Sequence, residues 1–366
     1  MNTGGLAAAP QRDSYDVVIV GGAIMGSATA WFLTRNPDFN GSILVVERDP
    51  GYGSSSTAHT NSCMRQQFST ELNIRISQFA ADFVTNLREH MGGDERIPEL
   101  AIQNYGYMYL ADNEDFAGVL RANQAVQRAA GAETELLTPD EIAARYPFYN
   151  LEDIVLGSIN LKNEGYWDGG GVFDWMRRSA RENGVEYLRG EVVAMDRDAD
   201  RITGVTLSDG REIACGTVVN ASGPRAARTA AMAGIEIPVE PRKRFTYVFQ
   251  AAEPLDQPLP LTIDPSGVHV RSDGDAYMAG CKPDIDHAVE PDDLTMDADL
   301  WESKVWPVLA HRIPAFERIK VTTRWAGHYA YNTLDHNAVV GPHPELDGFV
   351  FINGFSGHGL QQAAAM

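Results

Sequence analysis

Tyr15-Asp16-Val17-Val18-Ile19-Val20-Gly21-Gly22-Ala23-Ile24-Met25-Gly26 decides how this chain begins to fold. The β-branched run before Gly21 has the composition of a strand covered on both faces. Small and apolar residues from Ile24 to Thr34 read as a helix, and Ser42-Ile43-Leu44-Val45-Val46-Glu47 reads as a second buried strand. Strand, glycine turn, helix and strand make one βαβ unit. Glu47 stands 21 residues beyond Gly26, where an acidic side chain accepts hydrogen bonds from a ribose. Its carboxylate repels a 2′-phosphate, so the unit suits a dinucleotide that lacks one. Gly21 and Gly22 permit the sharp turn, the helix start at Ile24 and Met25 faces a pyrophosphate, and Gly26 lets helix and strand approach. Ala23 takes the place of a second glycine, where its methyl group crowds the phosphate. Arg48 follows directly in the same nucleotide-facing corner.

Residues 52–69, YGSSSTAHTNSCMRQQFS, are a polar stretch that supplies hydroxyls and one guanidinium, Arg65. Near the far end Gly354-Phe355-Ser356-Gly357-His358-Gly359-Leu360 forms a second glycine-rich turn before a helix start. Backbone donors and a helix dipole there suit an anion, such as the one that develops at N1 of a reduced flavin. Two such turns so far apart in sequence point to one long cofactor, FAD, stretched between them. Helices are expected over 72–90 and over 173–183, the second closed by Gly184. A hairpin is expected from 191–195 and 202–207, and a buried strand over 217–221. Residues 105–110 and 244–250 alternate as strands do. The tryptophans 301, 306 and 325 read as core. The expected fold is a Rossmann-like α/β FAD-binding domain assembled from discontinuous segments, 14–95, 150–236 and 325–366. A strand-rich α+β substrate-binding domain takes 96–149 and 237–324.

Composition narrows the partners. The chain has 366 residues, enough for two domains, and a net charge of −20 argues against nucleic acid and against anionic membrane surfaces. The uncharged stretch 17–34 is broken by glycines and reads as strand, turn and helix rather than a transmembrane segment. Cys63, Cys215 and Cys281 are too few and too scattered for a disulfide framework or a zinc site, so a reducing, cytoplasmic setting and no metal are expected.

Five stretches carry a family resemblance: MRQQFS (64–69), EPRKRF (240–245), KVWPVLAHRIPAFE (304–317), WAGHYAYNTLDHNAVVGPHP (325–344) and GFSGHGLQQA (354–363). With them the chain resembles the D-amino-acid oxidase/sarcosine oxidase class of FAD-dependent amine oxidoreductases, from Asp16 to Ala364. The branch it resembles best is that of the FAD-dependent oxidoreductase domain-containing proteins related to sarcosine and dimethylglycine dehydrogenases. The resemblance implies that Val192 meets the adenine through its backbone and that Ala221, Ser222 and Gly223 lie along the cofactor. Ser56, Thr57, Asn61, Ser62 and Cys63 fall where the family's loop passes the isoalloxazine. Gly354, Ser356, Gly357, His358, Gly359 and Leu360 fall under the pyrimidine ring. Arg65 aligns with the arginine that holds the substrate carboxylate, and Tyr329 with an active-site aromatic. His269 and His358 are further candidates to touch substrate or flavin. A helix beyond Met366, packed on the flavin domain, is also implied.

Three departures shape the expected chemistry. Gly327 stands where monomeric sarcosine oxidases attach FAD through cysteine, so noncovalent FAD is expected; His59, in a Ser-Thr-Ala-His string similar to a histidine attachment site, is the competing possibility. Gln361 replaces a second, lysine ligand for the carboxylate. Met278 replaces the lysine that activates oxygen, which favours a dehydrogenase over an oxidase. The expected activity is oxidation of a secondary or tertiary amino acid, or a related carboxylate-bearing amine. Oxygen, an electron-transfer flavoprotein and a quinone remain open as acceptor. A D-amino-acid or 2-hydroxy-acid enzyme on the same fold, or a non-catalytic flavoprotein assembly factor, is the alternative.

Overall fold

The computed structural model describes residues 6–366. Strand Ser14–Val20 sits inside a sheet whose order is Val339–Pro342, Phe349–Asn353, Glu212–Asn220, Ser14–Val20, Ile43–Glu47 and Glu186–Arg189. The five strands from Phe349–Asn353 to Glu186–Arg189 run parallel. The hairpin Val192–Asp198 and Arg201–Leu207 extends antiparallel from Glu212–Asn220. Val17 and Ile19 pack with Trp31, Phe173 and Met176 of the helices Ile24–Arg35 and Gly169–Glu182 on one face. Val18 and Val20 pack with Leu44, Val205 and Ala230 on the other. Burial on both faces is why the sequence there is continuously apolar, each large side chain adding about 1.5–3 kcal/mol.

The second sheet has eight strands in the order Ile319–Asn332, Val239–Ala251, Ala276–Cys281, His269–Asp273, Leu261–Ile263, Tyr107–Ala111, Leu156–Asn160 and Glu135–Leu137. Its core is aromatic, with Tyr247, Phe249, Tyr277, Trp301 and Phe316 buried together. Two long antiparallel strands bring Arg244 opposite Gly327 and Arg242 opposite Tyr329. A short ladder, Cys63–Met64 with Gly165–Tyr166, ties the loop after the second Rossmann strand to this side of the molecule.

Several expectations need correction. Segment 150–236 is not all nucleotide domain, because Leu156–Asn160 pairs with Tyr107–Ala111 in the second sheet. The boundary expected at 324/325 falls inside Ile319–Asn332, which belongs to the second sheet along its whole length. The helix expected over 72–90 is two, Glu71–Thr85 and Leu87–His90. Between them Asn86 leaves helical geometry, with φ −109° and ψ 31°, and its side-chain amide donates to Asp82 Oδ1 at 2.9 Å; asparagine is a weaker helix former than alanine or leucine. The helix expected from 173 starts at Gly169, capped by Asp168, whose carboxylate accepts from the Gly171 amide at 2.8 Å. Trp301 is core, whereas Trp306 and Trp325 are only partly buried, Trp306 packing against that core. All three cysteines are free. Among the described residues no helix is long and apolar enough to cross a membrane, and no cluster of His, Cys, Asp and Glu could hold a metal.

Candidate active site

A cleft of about 510 Å³ runs between the two sheets, within the usual size range of small-molecule sites. At one end it is walled by backbone. Gly21 has φ +98°, and a Cβ built on it would lie 2.6 Å from the Ala221 carbonyl oxygen. A Cβ on Gly26 would lie 1.9 Å from the Gly21 oxygen, so any side chain there drives the helix off the strand. Glu47 is buried; its Oε2 accepts from the Gly22 amide at 2.8 Å and its Oε1 from the Asp49 amide at 2.7 Å. Burial pushes its carboxyl up, and the two amides oppose that shift. Ala23 is extended, with φ −68° and ψ −163°, so its methyl group is accommodated without strain. The helix it precedes has neither a side-chain cap on Ala23 nor an acid in its first turn. Its leading amides therefore remain for a ligand, apart from Ile24, which donates weakly to Thr57 Oγ1 at 3.3 Å. This cradle fits a pyrophosphate.

The rim of this end is electrostatic. Arg48 donates to Asp292 at 3.0 Å, Arg225 donates to the same carboxylate, and Arg228 pairs with Glu290. Pro291 between them lines the cleft, so a strap from the second domain lies across the nucleotide end. Val192, Ala221, Ser222 and Gly223 line the same end, with the Ser222 hydroxyl turned away to donate to Asn220.

Along the middle, Ser56 donates to the His328 carbonyl at 2.6 Å, and His59 Nδ1 donates to the Ser55 carbonyl at 3.0 Å. A Cβ on Gly327 would meet His59 Cβ at 2.7 Å. The amide of Asn61 lies 2.8 Å from His269 Nε2, while Asn61 Oδ1 is buried and has no hydrogen-bond partner. Burial pushes the Cys63 thiol up to about 11, so it is a poor nucleophile. Burial, then Arg271 and Arg244, push His269 down to about 4.

Side chains dominate the far end. Gly357 has φ +97°, and a Cβ there would lie 2.4 Å from the Tyr329 ring, so this turn is pressed against that aromatic. Arg65 stacks on Phe68, 4.1 Å from its ring centre, with Tyr107 at 5.6 Å. Its Nη1 donates to the Gln67 carbonyl and its Nη2 to His358 Nε2, each at 2.7 Å. Since a guanidinium only donates, His358 presents a lone pair; burial and Arg65 hold the ring neutral, down to about 3. Gln361 Oε1 accepts the Arg65 backbone amide at 2.9 Å. His358 and Gln361 thus orient Arg65. Arg244, over Tyr329 at 4.5 Å, is already neutralised by two bonds to Asp286 at 2.8 and 3.0 Å.

The five expected reactive-end residues, Arg65, Tyr329, His358, Gln361 and His269, all line one cleft. Gly22, Gly26 and Gly354 do not line it; they lie behind the wall, against Val45, Gly21 and Val239 respectively. Met278 is also off the wall, with Arg271 donating toward its sulfur at 3.4 Å. Sequence reading missed Tyr107, Leu261 and Ile263, brought to the cleft by pairing of their two strands, and Thr246, on the strand paired with Ile319–Asn332. The alternation over 105–110, which places Tyr107 and Tyr109 on the same face, and that over 244–250, which contains Thr246, were the available signals.

Residues 16–366 match the profile of the family described as FAD dependent oxidoreductase, DAO. FAD-dependent oxidoreductase domain-containing protein 1 of Xenopus laevis is 38% identical over 96% of this chain and 77% of that protein. Mitochondrial sarcosine dehydrogenase of Homo sapiens is 25% identical over 96% of this chain, but the match spans only 38% of that protein. Among solved structures, L-proline dehydrogenase from P. horikoshii superposes with a TM-score of 0.82 at 26% identity, covering 96% of this chain and 91% of that one.

Proposed function

The chain belongs to the DAO family of FAD-dependent oxidoreductases, and we propose that it oxidises a secondary or tertiary amino acid or a related carboxylate-bearing amine. Bound FAD supplies the acceptor for two electrons. The residues present fit it: the Gly21–Met25 turn would hold the pyrophosphate, Glu47 the ribose, and the amides of Gly357, Gly359 and Leu360 the pyrimidine edge of the ring.

One observation carries the substrate reading. Arg65 lies on the cleft wall, pairs with no carboxylate among the described residues, and is held by two neutral acceptors. A guanidinium has five N–H donors, so those left over can take an anion in a bidentate grip. Tyr107 and Tyr329 would flank the amine, and the neutral His269 would sit beside it without repelling a cation. Because His269 and His358 both stay neutral in ordinary buffers, Arg65 supplies the charge that selects an anionic substrate.

A dehydrogenase is favoured over an oxidase. Met278 brings no charge to the place where the resembling oxidases carry a lysine, and the nearby Arg271 is neutralised by Asp273 at 2.8 Å. The test is anaerobic bleaching of the bound flavin across a panel of N-methyl, cyclic and D-amino acids. Reoxidation by oxygen is then compared with reoxidation by an artificial acceptor. Bleaching with secondary amino acids and slow reoxidation by oxygen support the proposal. Bleaching only with D-amino or 2-hydroxy acids redirects the substrate, and no bleaching by any of them argues for a non-catalytic flavoprotein.

A further inference from the structure

Glu164 is fully buried behind the loop that carries Arg65. Its carboxyl accepts three hydrogen bonds, from the Gln66 amide at 2.6 Å, Asn160 Nδ2 at 3.0 Å and Gln67 Nε2 at 2.9 Å. The orientation of Gln67 is fixed, because Nε2 also donates to the Tyr107 carbonyl and Oε1 accepts from Ser158. Three N–H donors favour the ionised carboxylate, whereas burial without an adjacent cation opposes it. The cation whose field reaches Glu164 is Arg65, held off by the Gln66-Gln67 segment. That segment joins the two charges mechanically as well: the Gln67 side chain binds Glu164 and its carbonyl binds Arg65.

We propose that Glu164 is the counter-charge of Arg65, and that its carboxyl takes up a proton from solvent when a carboxylate binds at Arg65. This rests on the reading of Arg65 as the substrate anchor. At pH values where Glu164 is ionised, one cation faces one buried anion before binding, and only there can binding draw in a proton. A carboxylate ligand brings a second anion to the same cation in a site of low dielectric, and two anions sharing one cation raise the proton affinity of the buried one.

Burial lifts Glu164 to about 8, so its charge changes within the working range of pH. The titratable groups packed around Arg65 and Glu164 are Tyr107, Tyr109, Tyr329, His358 and Cys63. Burial lifts Tyr107 and Tyr109 above the ordinary phenol value and Cys63 to about 11, while His358 is pushed to about 3. Lys162, whose carbonyl accepts from Gln66, pairs with Glu133 at the surface. The sign is fixed by linkage: an anion that favours protonated Glu164 binds more tightly at low pH. Reciprocally, Glu164 holds its proton more tightly when the anion is bound.

The experiment uses the flavin-loaded protein and propionate, which has no amine to titrate. Its dissociation constant is read from the flavin absorbance between pH 6.5 and 9.5. Calorimetry in buffers of different ionisation enthalpy counts protons taken up at pH 8. The expected result is net uptake, with a dissociation constant that climbs toward tenfold per pH unit above pH 8. Neutral propionamide should show no uptake, and Glu164→Gln should flatten the profile near the low-pH affinity of the wild type. Should that variant not fold, the wild-type proton count decides. A flat profile without uptake, while Arg65→Gln still abolishes propionate binding, overturns this inference and leaves Arg65 as anchor. Propionate binding that survives Arg65→Gln overturns both.

Discussion

At the nucleotide end of the cleft the chain offers backbone: Gly21 against Ala221, Gly26 against Gly21, and the uncapped amides that open Ile24–Arg35. At the far end it offers side chains drawn from separate segments, with Arg65, His358, Gln361, Tyr329, Tyr107 and Arg244 converging on one wall. Backbone donors cannot vary with the side chains around them, so the first end is suited to a group shared by many enzymes. The second end can be retuned one residue at a time, and it is where the substrate would be chosen. The two ends should therefore fail differently when mutated.

Gly26→Ala is the sharpest way to break the backbone end. The added Cβ faces a carbonyl oxygen at 1.9 Å, and neither partner is the tip of a flexible side chain. The expected cost reaches or exceeds the upper end of the ~1–3 kcal/mol usual for overpacking. Flavin stoichiometry and the denaturation midpoint should fall together; a fully loaded, equally stable variant would show that helix and strand can separate without loss.

Arg65→Lys tests the other end without touching the first. Lysine keeps the charge and loses the planar fork. Carboxylate binding should weaken by about 1.5–3 kcal/mol, roughly 10- to 150-fold, measured from anaerobic flavin reduction. Flavin content should not change. An unchanged dissociation constant would make Arg65 a structural residue and remove it as the carboxylate anchor.

Gly327→Ala probes the seam between the ends, where the new methyl would press on His59 Cβ at 2.7 Å. A loss of about 1–2 kcal/mol in stability is expected, because His59 is itself tied to the Ser55 carbonyl. In the unmodified protein, acid precipitation should release flavin to the supernatant. Fluorescence that stays with the polypeptide would point to attachment at His59, and His59→Ala should then free it.

The strap gives the smallest effect. Arg225, and after it Arg48, draw the Asp292 carboxyl down to about 2, but its side chain is 57% exposed. A depressed carboxylate stabilises above its ordinary value and loses that contribution as pH falls from about 4 toward 2. Asp292→Asn should speed flavin loss at pH 7 by no more than about 1 kcal/mol, fivefold or less, and less still in high salt. An unaltered rate at low salt would remove the strap from cofactor retention.

The sequence by itself determined the cofactor end. A β-branched run buried on two faces, a glycine that clears a carbonyl and an acid at the end of the next strand are local requirements, so Val17–Val20, Gly26 and Glu47 could be read in order. It also brought Arg65, Tyr329, His358 and Gln361 forward, through motifs carried by a resemblance. The roles of His358 and Gln361 as supports of Arg65 were not legible, since those contacts join positions nearly 300 residues apart. Nor was the membership of Leu156–Asn160 in the second sheet, because a strand's sequence records which of its faces are buried and not which neighbour it pairs with. Glu164 read as one acid among 50 Asp and Glu residues. Only the folded chain, by burying that carboxyl against three N–H donors and within the field of Arg65, distinguished it from the rest.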